Sequence, residues 1–191
     1  MVLKKSGKGA DVTRASTFAS ALIAHGPASE YAEELMLYGQ FVGDWTTETR
    51  AFRPDGVVEH SGWDVRFDWV LEGRAIQDVW ISPPRSEARP GWLAPGNRYS
   101  TTLRVYDPRA RHWQIIWVNP PSGTVVRQIG RAVGNEIVQE AEPDPAGMLS
   151  RWVYRDIGPN AFRWCNEESR DQGATWSLVQ EMRARRVDAG A

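Results

Sequence analysis

Gly62-Trp63-Asp64-Val65-Arg66-Phe67-Asp68-Trp69-Val70-Leu71 changes character at nearly every step. Successive side chains of an extended chain point to opposite faces. Trp63, Val65, Phe67, Trp69 and Leu71 therefore share one face, and Gly62, Asp64, Arg66 and Asp68 share the other. One face is buried and one is wet, the mark of an antiparallel sheet. The stretch lies between two turns. Pro54-Asp55-Gly56 precedes it, with proline and glycine each suited to the backbone angles of a turn, and Glu72-Gly73 follows it. The reading is a strand from Val57 to Leu71.

The same pattern extends in both directions. A strand is expected upstream from Asp44 to Arg53. Downstream, strands are expected at Arg74 to Ile81, Tyr99 to Tyr106, His112 to Asn119, Thr124 to Ala132, Glu136 to Glu140, Met148 to Asp156, Ala161 to Arg170 and Trp176 to Arg186. Turn residues separate them, and no helix intervenes to make a parallel crossover. About ten short strands joined this way predict an all-β fold, a single antiparallel up-and-down barrel with a short N-terminal helix. That helix is placed at Ser29 to Tyr38. Ser29 serves as N-cap, Glu30 lies in the first turn and Gly39 stops it. Such a helix can plug one barrel mouth. Residues 1–27 read as a flexible or loosely helical arm broken at His25-Gly26-Pro27, and residues 28–187 as the barrel domain. Pro83 to Asn97, with four prolines and two glycines, is a long loop. Trp92 and Leu93 in its middle are expected to fold back over a mouth.

Composition narrows the functional classes. A chain of 191 residues suits one domain. The 23 basic and 24 acidic residues nearly cancel, so charge gives no reason to expect nucleic acid or a membrane as partner. The single cysteine, Cys165, excludes an intrachain disulfide and fits a reducing compartment. Lys4, Lys5 and Lys8 precede an apolar patch from Phe18 to Ala24, but it is too short for a signal peptide, and a cytoplasmic protein is expected. A homodimer is left open. Ten tryptophans exceed the needs of so small a core and point to an aromatic-lined cavity.

Gly43-Asp44-Trp45 at the head of this strand series resembles the opening of the calycin superfamily, which includes lipocalins, fatty-acid-binding proteins and nitrobindin-type barrels. Phe67-Asp68-Trp69-Val70-Leu71-Glu72-Gly73-Arg74, followed by Asp78-Val79-Trp80, is similar to the second and third strands of a bacterial lipocalin-like family. The resemblance implies a closed barrel with an interior ligand cavity. It also implies that Trp45 packs at the closed end under an arginine of the last strand, for which Arg183 or Arg185 stands. A second stretch, Ser169-Arg170-Asp171-Gln172-Gly173-Ala174-Thr175-Trp176, resembles the Asp-box of sialidases, a structural hairpin in which the Asp171 carboxylate folds onto nearby backbone amides.

Signals for chemistry are few. His25, His60 and His112 are scattered and no cysteine pair exists, so no metal is expected. A nitrobindin-like haem site wants a histidine in the C-terminal strands, and none follows His112. Nucleophile, phosphate-loop and dinucleotide motifs are missing, and no cofactor is expected. What remains are polar residues on faces that read as interior. Asp78 lies with Trp80, Asn119 with Trp117, and Gln128 with Val126. Arg151 lies with Val153, Asn166 and Glu168 with Trp164, and Gln180 with Trp176, Leu178 and Met182. Arg151 and Glu168 are expected to pair across neighbouring strands, because a buried charge needs a partner.

The leading expectation is binding of a small, largely apolar or aromatic molecule inside the barrel. Trp63, Phe67, Trp69, Trp80, Trp92, Trp117 and Trp164 would supply walls. Asn119, Gln128, Arg151, Asn166, Glu168 and Gln180 would set orientation. A rival from another class is a cofactor-independent isomerase, cyclase or lyase. Glu168, Arg151 and Asp78 would be its acid–base or anchoring groups. The third reading is a structural barrel with a filled interior.

Overall fold

A computed structural model describes residues 17–87 and 97–187. Its strands are β1 (Gly43–Phe52), β2 (Val58–Val70), β3 (Ala75–Ser82), β4 (Arg98–Asp107), β5 (His112–Asn119), β6 (Thr124–Val133), β7 (Glu136–Ala141), β8 (Leu149–Arg155), β9 (Ala161–Ser169) and β10 (Ser177–Arg186). Each pairs antiparallel with the next, and β1 pairs with both β2 and β10, which closes the barrel. Closure leaves no free sheet edge. No strand end differs from the expected one by more than one residue, and β5 has the expected bounds, because turns rather than strand interiors are ambiguous in sequence.

The helix α1 (Ala32–Gly39) starts later than expected. Ser29 does not cap it; its hydroxyl faces the Glu30 carboxylate at 3.4 Å. Tyr31 holds the N-cap position in a left-handed conformation with no side-chain cap. Leu35 and Tyr38 of α1 and Phe41 just after it are buried in the core, so the helix closes one barrel end. Gly39 permits this approach: a Cβ there would collide with the Trp69 indole. Of the N-terminal arm, residues 17–22 are helical and Ile23 bridges to Val70. Residues 1–16 and the segment carrying Trp92 and Leu93 lie outside the described residues.

Trp45 sits at the closed end, 2% exposed, and its indole N–H donates to the Phe41 carbonyl at 2.7 Å. The arginine above it is Arg186, not Arg183 or Arg185. Those two are exposed, whereas Arg186 pairs in register with Trp45 where the chain leaves β10 and can fold over the rim. Its guanidinium lies 4.2 Å from the Trp45 ring centroid. Nη1 donates to the Val42 carbonyl at 2.6 Å, Nη2 to Gln40 at 2.9 Å and Nε to Pro159 at 2.8 Å. Gly43 makes room for it, since its φ is +129° and a Cβ would lie 2.5 Å from Nη1. One side chain thus ties three segments of the closed end together.

Above this layer the barrel is filled rather than hollow. Tyr38, Phe41, Tyr154, Phe162 and Trp113 form a run of ring contacts. Among them lies an ion pair, Arg104 Nη1 to Asp78 Oδ2 at 2.7 Å, with both side chains fully buried. Asp78 Oδ1 also accepts from the Thr102 amide at 2.8 Å, and Arg104 Nη2 donates to the Tyr154 hydroxyl at 3.0 Å. The Tyr38 and Phe67 rings lie 5.0 and 5.4 Å from the guanidinium carbon, within cation–π range. Burial pushes the Tyr38 phenol up to about 12 and Tyr154 up as well, so both are neutral; Tyr154 accepts from Arg104, and Tyr38 accepts from Gln139 Nε2 at 3.0 Å. On β4 the usual pattern is reversed. Arg104 points in at 0% exposure while its neighbour Val105 points out at 39%.

The hairpin between β9 and β10 has the Asp-box geometry. Asp171 Oδ1 accepts from the Ser169 hydroxyl and the Thr175 amide at 2.8 and 2.9 Å, and Oδ2 from the Thr175 hydroxyl at 2.6 Å. These bonds, the Thr175 ones foremost, hold the carboxyl down at about 2. A folded value below the unfolded one of about 3.9 means the hairpin is supported above the latter pH and loosens as pH falls toward the former. A carbon-detected NMR titration is expected to show Asp171 ionising near 2; a midpoint near 4 would mean that the bonds do not persist in solution.

Candidate functional site

One hollow, small beside the depressions on the outer face, lies inside the barrel away from Trp45 and is walled by tryptophans. Trp63 of β2 meets Trp80 of β3 at 5.8 Å between centroids, and Trp80 meets Trp164 of β9 at 5.6 Å. Trp164 meets Trp152 of β8 at 5.4 Å, and Trp152 meets Trp117 of β5 at 5.6 Å. All four contacts are edge-to-face, the arrangement the aromatic quadrupole favours. The five rings form an arc, and Arg98, Asn166 and Gln180 complete the lining. The space is small. It encloses about 50 Å³, or about 380 Å³ when the part open to solvent is included. The enclosed figure is well below that of small-molecule sites, roughly 300–1,000 Å³, so a ligand would sit largely in the open mouth of the cup.

The sequence puts these groups together through strand alternation. Trp63 and Trp80 face inward on their strands, as do Trp164 and Asn166 on β9. Gln180 faces inward because of a register shift between Leu178 and Gln180. The same shift moves Trp176 and Leu178 away from Gln180's face. Trp176 stacks instead under Arg151, with the guanidinium carbon 3.9 Å from the ring centroid.

Several polar groups of the cup have no partner among the described residues. The indole N–H of Trp80 and that of Trp164 donate to nothing among the described residues, and the Asn166 amide oxygen accepts nothing. Trp63 differs, since its N–H donates to the Ser61 hydroxyl at 3.0 Å. Buried polar atoms without partners are uncommon in folded proteins, and three around one space mark a place for bonding. Arg98 lies over the Trp63 ring at 5.4 Å and forms no ion pair with a described residue. Burial pushes its guanidinium below the ordinary arginine range.

Of the residues singled out in sequence, Trp63, Trp80, Trp117, Trp164, Asn166 and Gln180 meet at the cup. Others do not. Phe67 packs below it against Phe41, Trp80 and Phe162, and Trp69 lies under α1 beside Gly39. Asn119 is occupied by the following turn, accepting from the Tyr99 amide and donating to the Ser122 hydroxyl. Gln128 is buried, with neither amide atom bonded to a described residue, but it does not line the cup.

The expected pair of Arg151 with Glu168 does not form. Arg151 points outward with Val153 and bonds Glu167 at 2.7 Å, while Arg155 bonds Glu167 from the other side. The parity of β8 is the reverse of the one expected, with Trp152 and Tyr154 inward. Glu168 lies one inward step beyond Asn166, opposite Ser150 and Ser177, and makes no ion pair with a described residue. Asp78 is engaged by Arg104 below the cup. The three groups expected to share acid–base work are therefore not brought together. No cluster of three histidine, cysteine, aspartate or glutamate side chains suited to a metal occurs among the described residues.

Two lining residues escaped the sequence reading. Trp152 was hidden by the choice of the Arg151 face as interior; the Trp152–Tyr154 alternation was the available signal. Arg98 sits one residue before the expected start of its strand, at the end of a proline-rich loop.

No protein family's sequence profile matches the chain, and no curated protein matches it. Solved structures do. The S-type phycobiliprotein lyase CPES from Guillardia theta superposes with a TM-score of 0.54 at 9% identity, over 81% of this chain and 93% of that one. Rv2717c from M. tuberculosis superposes with a TM-score of 0.55 at 10% identity, over 85% of this chain and 99% of that one. The likeness shows a shared β-barrel fold. At such identity the likeness concerns the backbone frame, and the cup is described from this chain alone. The closed end of the barrel is the Trp45–Arg186 end, and the indole cup lies away from it, on the far side of the filled layer.

Proposed function

We propose that this calycin barrel binds a small, largely aromatic molecule in the cup of Trp63, Trp80, Trp117, Trp152 and Trp164. The supporting observation is the coincidence of five indoles with unbonded polar atoms of Trp80, Trp164 and Asn166 around one space. The filled interior belongs to the closed half, where Arg104 bonds Asp78 and Tyr154, although Arg104 Nε and the Thr102 hydroxyl there also lack a partner among the described residues. The resemblance of Phe67 to Arg74 to a bacterial lipocalin-like family fits the same reading, although no family profile matches the chain. One fold neighbour is a lyase, so the frame is compatible with chemistry as well as binding, but the separation of Glu168, Arg151 and Asp78 favours binding.

Intrinsic tryptophan fluorescence during titration with a panel of bicyclic aromatics tests this. Saturable quenching at one site per chain is expected. Trp152→Ala is expected to weaken binding about tenfold, the loss of one aromatic contact and its buried area. Silence across the panel, or quenching unaffected by Trp152→Ala, would sink the proposal.

A further inference from the structure

The polar lining of the cup is unbalanced in favour of donors. Arg98 brings a guanidinium whose charge no described residue neutralises, and the Trp80 and Trp164 indoles bring one free N–H each. Trp80 and Trp164 are each 5% exposed, so water has little access to those N–H groups. Against these donors stand two amide oxygens of the lining, Asn166 Oδ1 and Gln180 Oε1. No carboxylate lines the cup, and Glu168, one inward step beyond Asn166, is not part of the lining.

Resting on the binding proposal above, we infer that the ligand is an aromatic monoanion whose acid group sits on Arg98, with its ring among the indoles. A planar guanidinium matches a carboxylate through two parallel bonds, which gives orientation as well as attraction. The apolar remainder of the lining disfavours a more highly charged ligand. A second negative charge would have to leave water with no second cation among the described lining residues to receive it. A neutral aromatic, in turn, would leave a half-buried arginine desolvated without a partner. The indole N–H groups are placed for further acceptor oxygens, and Asn166 for a single donor on the ligand.

Calorimetric titration with 2-naphthoate and with 2-naphthylmethanol, which share a ring system and differ in charge, tests this. The unaltered protein is expected to bind 2-naphthoate at least tenfold more tightly. Arg98→Met is expected to abolish that preference while 2-naphthylmethanol still binds, which shows that the cup persists. Arg98→Lys is expected to keep part of the preference, because it keeps the charge and loses the fork. Equal affinity for the two probes in the unaltered protein, or a preference that survives in Arg98→Met, would overturn the inference and leave aromatic binding standing. Failure of both probes to bind the unaltered protein would overturn the binding proposal and this inference with it.

Discussion

Asp78→Asn is expected to lower the unfolding free energy by about 3–5 kcal/mol. The corresponding fall in melting temperature for a chain of this length is roughly 6–20 °C. The reason is what the substitution leaves behind. Arg104 and Asp78 are both fully buried, and the carboxylate is the guanidinium's only anionic partner in the ion pairs formed by the described residues. With Asn at position 78 the charge on Arg104 stays in a site walled by Tyr38, Phe67 and Tyr154, and desolvation is no longer offset. Removing both charges, as in Asp78→Asn with Arg104→Met, is expected to cost much less than the sum of the single changes. Urea denaturation of the two single variants and the double variant measures this directly. Additive losses would mean that the two charges do not act as a pair.

Trp45→Ala is expected to cost a similar amount, about 3–5 kcal/mol, through the cavity left by a fully packed ring. Trp45 contacts Phe162 at 4.7 Å between centroids and lies beneath Arg186. Its loss removes the surface on which the closing arginine rests. Trp152→Ala, by contrast, removes a ring that borders open space, and surrounding groups can relax into the gap. Its stability cost is expected to be the smaller of the two, below about 2 kcal/mol, while its effect on binding is the larger. Thermal melts of both variants, read beside their ligand affinities, separate the two barrel ends. Equal stability losses would contradict the assignment of Trp45 to architecture and Trp152 to the cup.

The barrel was legible in sequence because β2, with Trp63, Val65, Phe67 and Trp69 on one face, alternates cleanly between turns. Legibility of the site was partial, and the reasons are local. On β4 hydrophobicity points the wrong way, since Ser100, Thr102 and Arg104 face in and Val105 faces out. Periodicity reports burial only where interior means apolar, and here a buried ion pair occupies the middle of the barrel. On β8, Leu149 and Val153 bracket Arg151 and suggest an inward face, yet Trp152 and Tyr154 hold it. Arginine stems cover that outer face instead, with Arg151 over Trp176 and Arg155 bonded to Glu136 and Glu167. On β10 a register shift that leaves no mark in composition separates Gln180 from Trp176. The closing arginine was misplaced by one residue for a similar reason. Arg186 acts from the strand end, where alternation no longer constrains direction.

The central claim is that a small aromatic molecule binds among the five indoles away from Trp45. Indole N–H resonances of the tryptophans, followed by two-dimensional NMR during titration with 2-naphthoate, test it ring by ring. The expected result is progressive shifts for Trp63, Trp80, Trp117, Trp152 and Trp164, largest at Trp80 and Trp164, with Trp45 and Trp113 unmoved. Shifts confined to Trp45 and Trp113, or no shifts at any indole, would contradict it.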